Sequence, residues 1–344
     1  MHLNFAPYRL FSFLSFIACL FLPGIIAAQE ATTKEKPDAA VRAQMGNVNY
    51  RFTDNIAVQI NALNGALVPT ANNDSPIFDD KNSFRIRIDS AEIAISPTDP
   101  LAAADMQLLA RQTIHAAARA NGLRASFAPL VTAEAAGNGW HAHASVLRDE
   151  ENLLASGDSA HGLTREGEAW LAGLVRELPA LAAIASPSVP SLMRRRPGYF
   201  ASAYTFWGVQ NREASLRFIP ETAMVPAAGA NVELKASDAS GNPYLALAAV
   251  IAAGLAGIAE GLELPEPINV DPGSWDEAER ERRGIRLLPT TTEEQIAAVE
   301  RSLAVRDALG EPLVGAWSAV RAADAAWADG KTPDEIIARH RWSY

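Results

Sequence analysis

From residue 100 onward, long alanine-rich runs with apolar residues at helical spacing alternate with short segments where apolar and polar residues take turns. The helical runs are Leu101–Asn121, stopped by Gly122, and Thr164–Ile184, with Glu166 and Glu168 in the first turn, where carboxylates favour the helix dipole. A third begins at Asn242 as cap with Pro243 at its first position and ends at Gly261. Thr292 and Gln295 read as a capping box for a helix ending at Gly310, and Thr332, Pro333 and Glu335 open a short last helix in the same way. The period-two segments are Trp140–Leu147, Tyr204–Val209, Ala214–Ile219 and Asn231–Lys235. This order predicts an α+β fold. The stretch Leu245–Ile258 is apolar, but its length, alanines and glycines suit a packed interior helix rather than a membrane span.

The N-terminal quarter has a different character. His2 and Arg9 precede the apolar run Leu10–Ala28, which contains Pro23 and closes on small residues before Gln29. Residues 1–28 read as a secretory signal peptide, with an uncleaved anchor or an ordinary buried segment as the other readings. Residues 29–46 form a polar linker, and 47–90 a β-rich segment with a plausible tight turn at Asn64–Gly65. Phe84, Ile86 and Ile88 occupy even positions, whereas Ala91, Ile93 and Ile95 occupy odd ones. One uninterrupted strand cannot bury both sets on one face, so Asp89–Ser90 marks a turn, a bulge or a join. Residues 91–344 form the remaining domain.

Composition narrows the function classes. The 344-residue chain is 49% hydrophobic, and its formal net charge is -10, which argues against non-specific nucleic-acid binding. Cys19 is the single cysteine, so neither an intrachain disulfide nor a thiolate zinc site can form.

Three motifs carry candidate chemistry. In Gly137-Asn138-Gly139-Trp140-His141-Ala142-His143-Ala144-Ser145, the two histidines share a strand face, and glycines allow close backbone approach to a ligand. Imidazole with carboxylate suits a divalent cation that also holds phosphate, although a His-x-His pair by itself is equally compatible with a structural role. Arg194-Arg195-Arg196-Pro197-Gly198-Tyr199 and Asn211-Arg212-Glu213-Ala214-Ser215-Leu216-Arg217 supply guanidinium groups suited to carboxylates and phosphates, or a solvated basic surface. In Asn231-Val232-Glu233-Leu234-Lys235, the acid and the cation share a face, either as a metal ligand beside a phosphate contact or as an ion pair.

Together, in this order and followed by Gly241-Asn242-Pro243-Tyr244-Leu245-Ala246-Leu247-Ala248-Ala249, these motifs resemble the glutamine synthetase family, from about Ser96 to the final helix. In detail they look closer to its γ-glutamylpolyamine synthetase-like branch. The resemblance implies a catalytic domain with an antiparallel sheet and packed helices, here N-terminally incomplete. It also implies ATP-dependent joining of a glutamate-like carboxylate to ammonia or an organic amine through an acyl phosphate, with Mg²⁺ or Mn²⁺. His141 and Glu233 match ligands of the metal that holds the γ-phosphate, and Glu92 matches a ligand of the other metal. His143 and Ser145 match the nucleotide site, and Arg217 and Lys235 match phosphate contacts, Lys235 standing where the family has arginine. Arg194 and Arg212 match the arginines for the substrate carboxylate and the transferred phosphoryl group. Gly137 matches the glycine whose backbone meets the amino-acid substrate.

Some positions depart from the family pattern. Phe200 replaces an acidic residue after Pro-Gly-Tyr, and Ala136 replaces a substrate-binding asparagine, which points to an organic amine rather than ammonia. No Glu-x-Glu pair precedes Glu92. The missing pair keeps two further readings open: a non-catalytic binding or structural module, and an exported β-domain protein carrying a passenger ligase fragment. Complete family members assemble into homo-oligomeric rings. Use of ATP implies the cytoplasm, while the signal-like segment implies export.

Overall fold

The computed structural model describes residues 50–51, 56–62, 95, 97–120, 124–133, 137–198, 201–223 and 225–344. All fall within one unit made of residues 45–63 and 95–344. The signal-like segment, the linker and most of the β-rich segment lie outside the described residues.

Among the described residues, the strands form one seven-stranded sheet. Its strands are β1 (Tyr50–Arg51), β2 (Ile56–Ala62), β3 (Ala142–Arg148), β4 (Glu151–Asn152), β5 (Trp207–Val209), β6 (Leu216–Ile219) and β7 (Asn231–Leu234). They run in the spatial order β1-β2-β3-β7-β6-β5, with β4 hairpinned onto β3. The pairs are antiparallel, as expected, except that β5 and β6 run parallel, making the sheet mixed. β2 pairs with β3 along its whole length, from Ile56 with Arg148 to Ala62 with Ala142.

Alternation sorts the two sheet faces. Ala142, Ala144 and Val146 of β3, Leu216 and Phe218 of β6, and Val232 and Leu234 of β7 are buried in one hydrophobic cluster with the helices. The intervening residues His143 and Ser145, Arg217, and Asn231 and Glu233 occupy the other face. One face therefore drives folding, and the opposite face is available for polar chemistry.

The helices are α1 (Pro100–Ala120), α2 (Arg165–Ala185), α3 (Val189–Arg194), α4 (Pro243–Glu260), α5 (Glu277–Arg282), α6 (Thr292–Arg301), α7 (Leu303–Leu309), α8 (Glu311–Ala328) and α9 (Pro333–His340). Thr164 caps α2, Asn242 caps α4, and Gly261 ends α4 in the left-handed conformation. A capping box of Thr332 and Glu335 opens α9. At α6, the cap is Thr291 rather than Thr292, because Thr291 accepts from Glu294 N while Gln295 is buried and donates to Ser186 O at 3.0 Å. The expected single helix to Gly310 is broken at Ser302, which closes α6 and caps α7 through its hydroxyl.

The α2–α4 pair forms the centre of the helical layer. Helix α4 is long and apolar enough to cross a membrane, yet half of that window is buried inside the fold. Its contact with α2 is so close that a Cβ at Gly257 would lie 2.1 Å from Ala169 O, and one at Gly173 would lie 2.2 Å from Ala253 O. Gly257→Ala should force the helices apart and destabilise the chain by about 1–3 kcal/mol. Gly315→Ala, in α8, would meet no atom within 4 Å and should stabilise by about 0.5–1 kcal/mol through helix propensity. Urea midpoints moving in opposite directions would verify the contrast.

Candidate functional site

The polar face is organised around Glu233. In register, His143 on β3 and Arg217 on β6 flank it, so three adjacent strands place three functional groups in one transverse row. On the other side of β3, the register partner of His143 is Asn61 of β2. Glu233 Oε1 is 2.9 Å from His141 Nδ1 and 3.6 Å from His143 Nε2, and its Oε2 is 2.5 Å from Arg217 Nε. The two expected metal-ligand positions, His141 and Glu233, are thus brought together. Glu92, assigned to the other metal, lies outside the described residues, as do Phe200 and Ala136.

Electrostatics set the charge state of the row. Burial by itself would raise the Glu233 carboxyl. The hydrogen bond from His141 and the charges of His141, His143 and Arg217 outweigh it and bring the group down to about 2. Burial also pushes the His143 imidazole below its ordinary value, against the opposing pull of Glu233 and Asn231. The permanently charged guanidinium of Arg217 supports the assignment of Glu233 as ionised and His143 as neutral.

The other candidates are distributed around this row. Ser145 is fully buried, and its hydroxyl donates to Ala230 O at 2.8 Å, which ties it to the backbone leading into β7. Lys235 is buried, and its ammonium donates to Arg212 O; burial holds it below the ordinary lysine value. Arg212 sits in the β5–β6 connection and is exposed. Arg194, the last residue of α3, is buried, with Nη2 on Ser237 O at 2.8 Å and Nε 3.8 Å from Asp238 Oδ2. It packs beneath the glycine turn, where a Cβ at Gly137 (φ 83°) would lie 2.8 Å from its Cδ. A Cβ at Gly139 would lie 2.8 Å from His141 Nε2. Gly137, Gly139, Arg194 and His141 therefore form one contiguous group.

Sequence reading assigned no role to Asn231 or Asp238, yet both hold site residues. Asn231 binds His143, and Asp238 faces Arg194. The signal for Asn231 was its period-two spacing from Glu233. Two clefts of about 470 and 450 Å³ are lined by other residues, among them Tyr204 and Arg280 in one and His161 and Glu221 in the other.

The donor chemistry suits a divalent cation in part. An imidazole and an ionised carboxylate converge, but both carboxylate oxygens already have partners. Among the described residues, no group of three or more His, Cys, Asp or Glu side chains is arranged to hold a metal. Gln59 and Asn61 are the β2 residues in register with Ser145 and His143.

The family described as "Glutamine synthetase, catalytic domain" matches residues 86–337, starting slightly before the expected boundary. The γ-glutamylpolyamine synthetase GlnA3 of Streptomyces coelicolor is 45% identical over 253 residues, covering 74% of this chain and 54% of that protein. A glutamine synthetase of Clostridium saccharobutylicum is 33% identical, covering 70% and 53%. A solved structure described as a novel glutamine synthase homolog has a TM-score of 0.64 at 32% identity, covering 74% of this chain and 56% of that one. The chain belongs to the glutamine synthetase catalytic-domain family. It spans about half the length of the curated relatives it matches.

The Glu233 row makes stability depend on acid. Because the folded group titrates at about 2 against an ordinary 4.5, its contribution is complete above about 4.5 and disappears as pH falls toward 2. Glu233→Gln in the metal-free chain should lower stability near neutrality by about 1–3 kcal/mol and flatten this acid limb. Urea unfolding measured across that pH range checks both effects.

Proposed function

We propose that the chain carries out ATP-dependent ligation of a glutamate-like carboxylate to an amine, with an organic polyamine preferred to ammonia. The observation that carries this reading is the convergence of His141, His143 and Arg217 on Glu233 in a chain of this family. The preference for an organic amine is supported by the name of the 45%-identical relative and by Phe200 at the position after Pro-Gly-Tyr.

In this reading, the carboxylate oxygen attacks the γ-phosphorus of ATP and ADP leaves. The amine nitrogen then attacks the resulting acyl phosphate, expelling phosphate and giving up a proton to solvent. His141 and Glu233 would hold Mg²⁺ or Mn²⁺, which when bound offsets phosphate charge. Arg217 steers a phosphate oxygen while keeping Glu233 ionised. Exposed Arg212 meets the phosphoryl group, and Arg194 orients the substrate carboxylate from beneath the Gly137 turn. His143, Ser145 and Lys235 shape the nucleotide side, and Glu92 belongs to the second cation. Reliance on ATP favours the cytoplasm as the working compartment, and ring assembly would follow the family habit.

A second reading, nucleotide binding without turnover, is favoured by the lack of a three-ligand metal group among the described residues. The assay is phosphate release by the purified chain with Mg²⁺, ATP and glutamate, comparing spermidine with ammonium. Release should require both glutamate and amine and run faster with spermidine, and His141→Ala should slow it about 10-fold or more. Amine-independent release, or faster turnover with ammonium, would overturn the proposal. Calorimetric binding of Mg·ATP without phosphate release would establish the second reading.

A further inference from the structure

Helix α3 carries two polar groups, one turn apart, that dock on the same short segment after β7. Arg194, at its end, donates from Nη2 to Ser237 O at 2.8 Å and holds Nε 3.8 Å from Asp238 Oδ2. Ser191 lies three residues earlier, so it shares that helix face. Its hydroxyl meets the Ser240 hydroxyl at 3.0 Å. Ser240 in turn donates to Asp238 Oδ1, from its hydroxyl at 2.6 Å and from its backbone N–H at 3.0 Å. Ser188, Ser191 and Asp238 are all 0% exposed, so solvent does not compete for these bonds.

The protons along this chain of hydroxyls can point only one way. Asp238, facing a guanidinium, is a carboxylate and only accepts. The single hydroxyl proton of Ser240 is therefore spent on Asp238, and Ser191 must donate to Ser240. With its own proton spent, Ser191 must accept across the 2.7 Å contact with Ser188, which makes Ser188 the donor. Ser191 Oγ also accepts from Ser188 N at 3.2 Å, so its proton and both its lone pairs are in use. A one-way ladder thus runs from Ser188 through Ser191 and Ser240 to Asp238.

The ladder matters because of what lies beyond it. Asp238 Oδ2 and Arg194 Nε have no hydrogen-bond partner. Attraction across 3.8 Å in a buried place is strong but has no preferred angle, so the setting of the guanidinium depends on where the carboxylate is fixed. Arg194 Nη1 lies toward the glycine turn, 3.5 Å from a Cβ placed at Gly139. We propose that Ser191 and Ser240 are positioning residues for Arg194: their hydroxyls fix the Asp238 carboxylate, which aims Arg194 Nη1 at the carboxylate of the amino-acid substrate. The proposal rests on the ligase reading only for the identity of that substrate.

The test uses the full chain labelled with ¹⁵N-arginine, free of nucleotide. Hydrogen exchange at Arg194 Nε, a signal identified by its loss in Arg194→Lys, reports how firmly the guanidinium is held. Ser240 is half-buried and lies outside α3, so Ser240→Ala breaks the ladder without touching the capping box formed by Ser188 and Ser191. Ser240→Ala and Ser191→Ala should each speed the exchange roughly 3- to 10-fold, the worth of one hydrogen bond. Ser240→Thr, which keeps a hydroxyl, should stay near the wild type. The double alanine variant should exchange no faster than the faster single one, because both changes remove rungs of one ladder. In the phosphate-release assay, each alanine variant should raise KM for glutamate by a similar factor and leave KM for ATP unchanged. The proposal is overturned if Ser240→Ala exchanges like the wild type, if Ser240→Thr behaves like Ser240→Ala, if the two alanine effects multiply, or if both KM values rise together, as a merely structural role would require. Absence of turnover would sink the proposed function, and the exchange rates would still decide the ladder.

Discussion

Glu233 lies on the middle one of three strands, and the register of those strands decides everything around it. His143 and Arg217 are its direct cross-strand partners, so a shift of one residue in β3 or β6 would turn either side chain to the opposite face. The opposite face is closed by Val232, Leu234, Leu216 and Phe218 in the helix-covered core. Slippage would therefore bury charge and expose apolar area at the same time. The energy that pins the polar row comes from the apolar residues alternating with it.

The helices serve that same register. Helices α2 and α4 approach each other through Gly173 and Gly257, which presses a tight two-helix layer against the sheet. Helix α3 ends at Arg194, whose guanidinium reaches Ser237 O just beyond β7 and whose stem supports the Gly137 turn. The entrance to β3 and the exit from β7 are consequently tied to one buried arginine. Its charge is answered by Asp238 at 3.8 Å and by a carbonyl oxygen, rather than by solvent.

A buried carboxylate between two imidazoles and a guanidinium is a costly arrangement for stability alone, since a hydrophobic replacement of similar shape is often at least as stable. Its presence on the polar face of a sheet shared with the glutamine synthetase family is understandable if those groups serve a ligand. The polar atoms there are also highly ordered by one another. Asn231, Ser145 and Asn152 each donate to a carbonyl of the turn between residues 227 and 230, so the segment leading into β7 is fastened by side chains from three strands.

Much of this was legible in the residues. Period-two alternation placed His141 and His143 on one face and Glu233 with Lys235 on a face of another strand, and caps such as Asn242 and Thr332 marked helix starts because their chemistry is local. The family resemblance rested on motif order, which is also a property of the chain alone. Only the tertiary structure decided which strands became neighbours, since pairing joins residues some ninety positions apart, as in His143 with Glu233. It alone gave Gln295 to Ser186 instead of to a cap and set β5 parallel to β6. Alternation says which side chains share a face of their own strand. The partner across the gap is chosen by packing over the whole sheet, and no single segment contains that information.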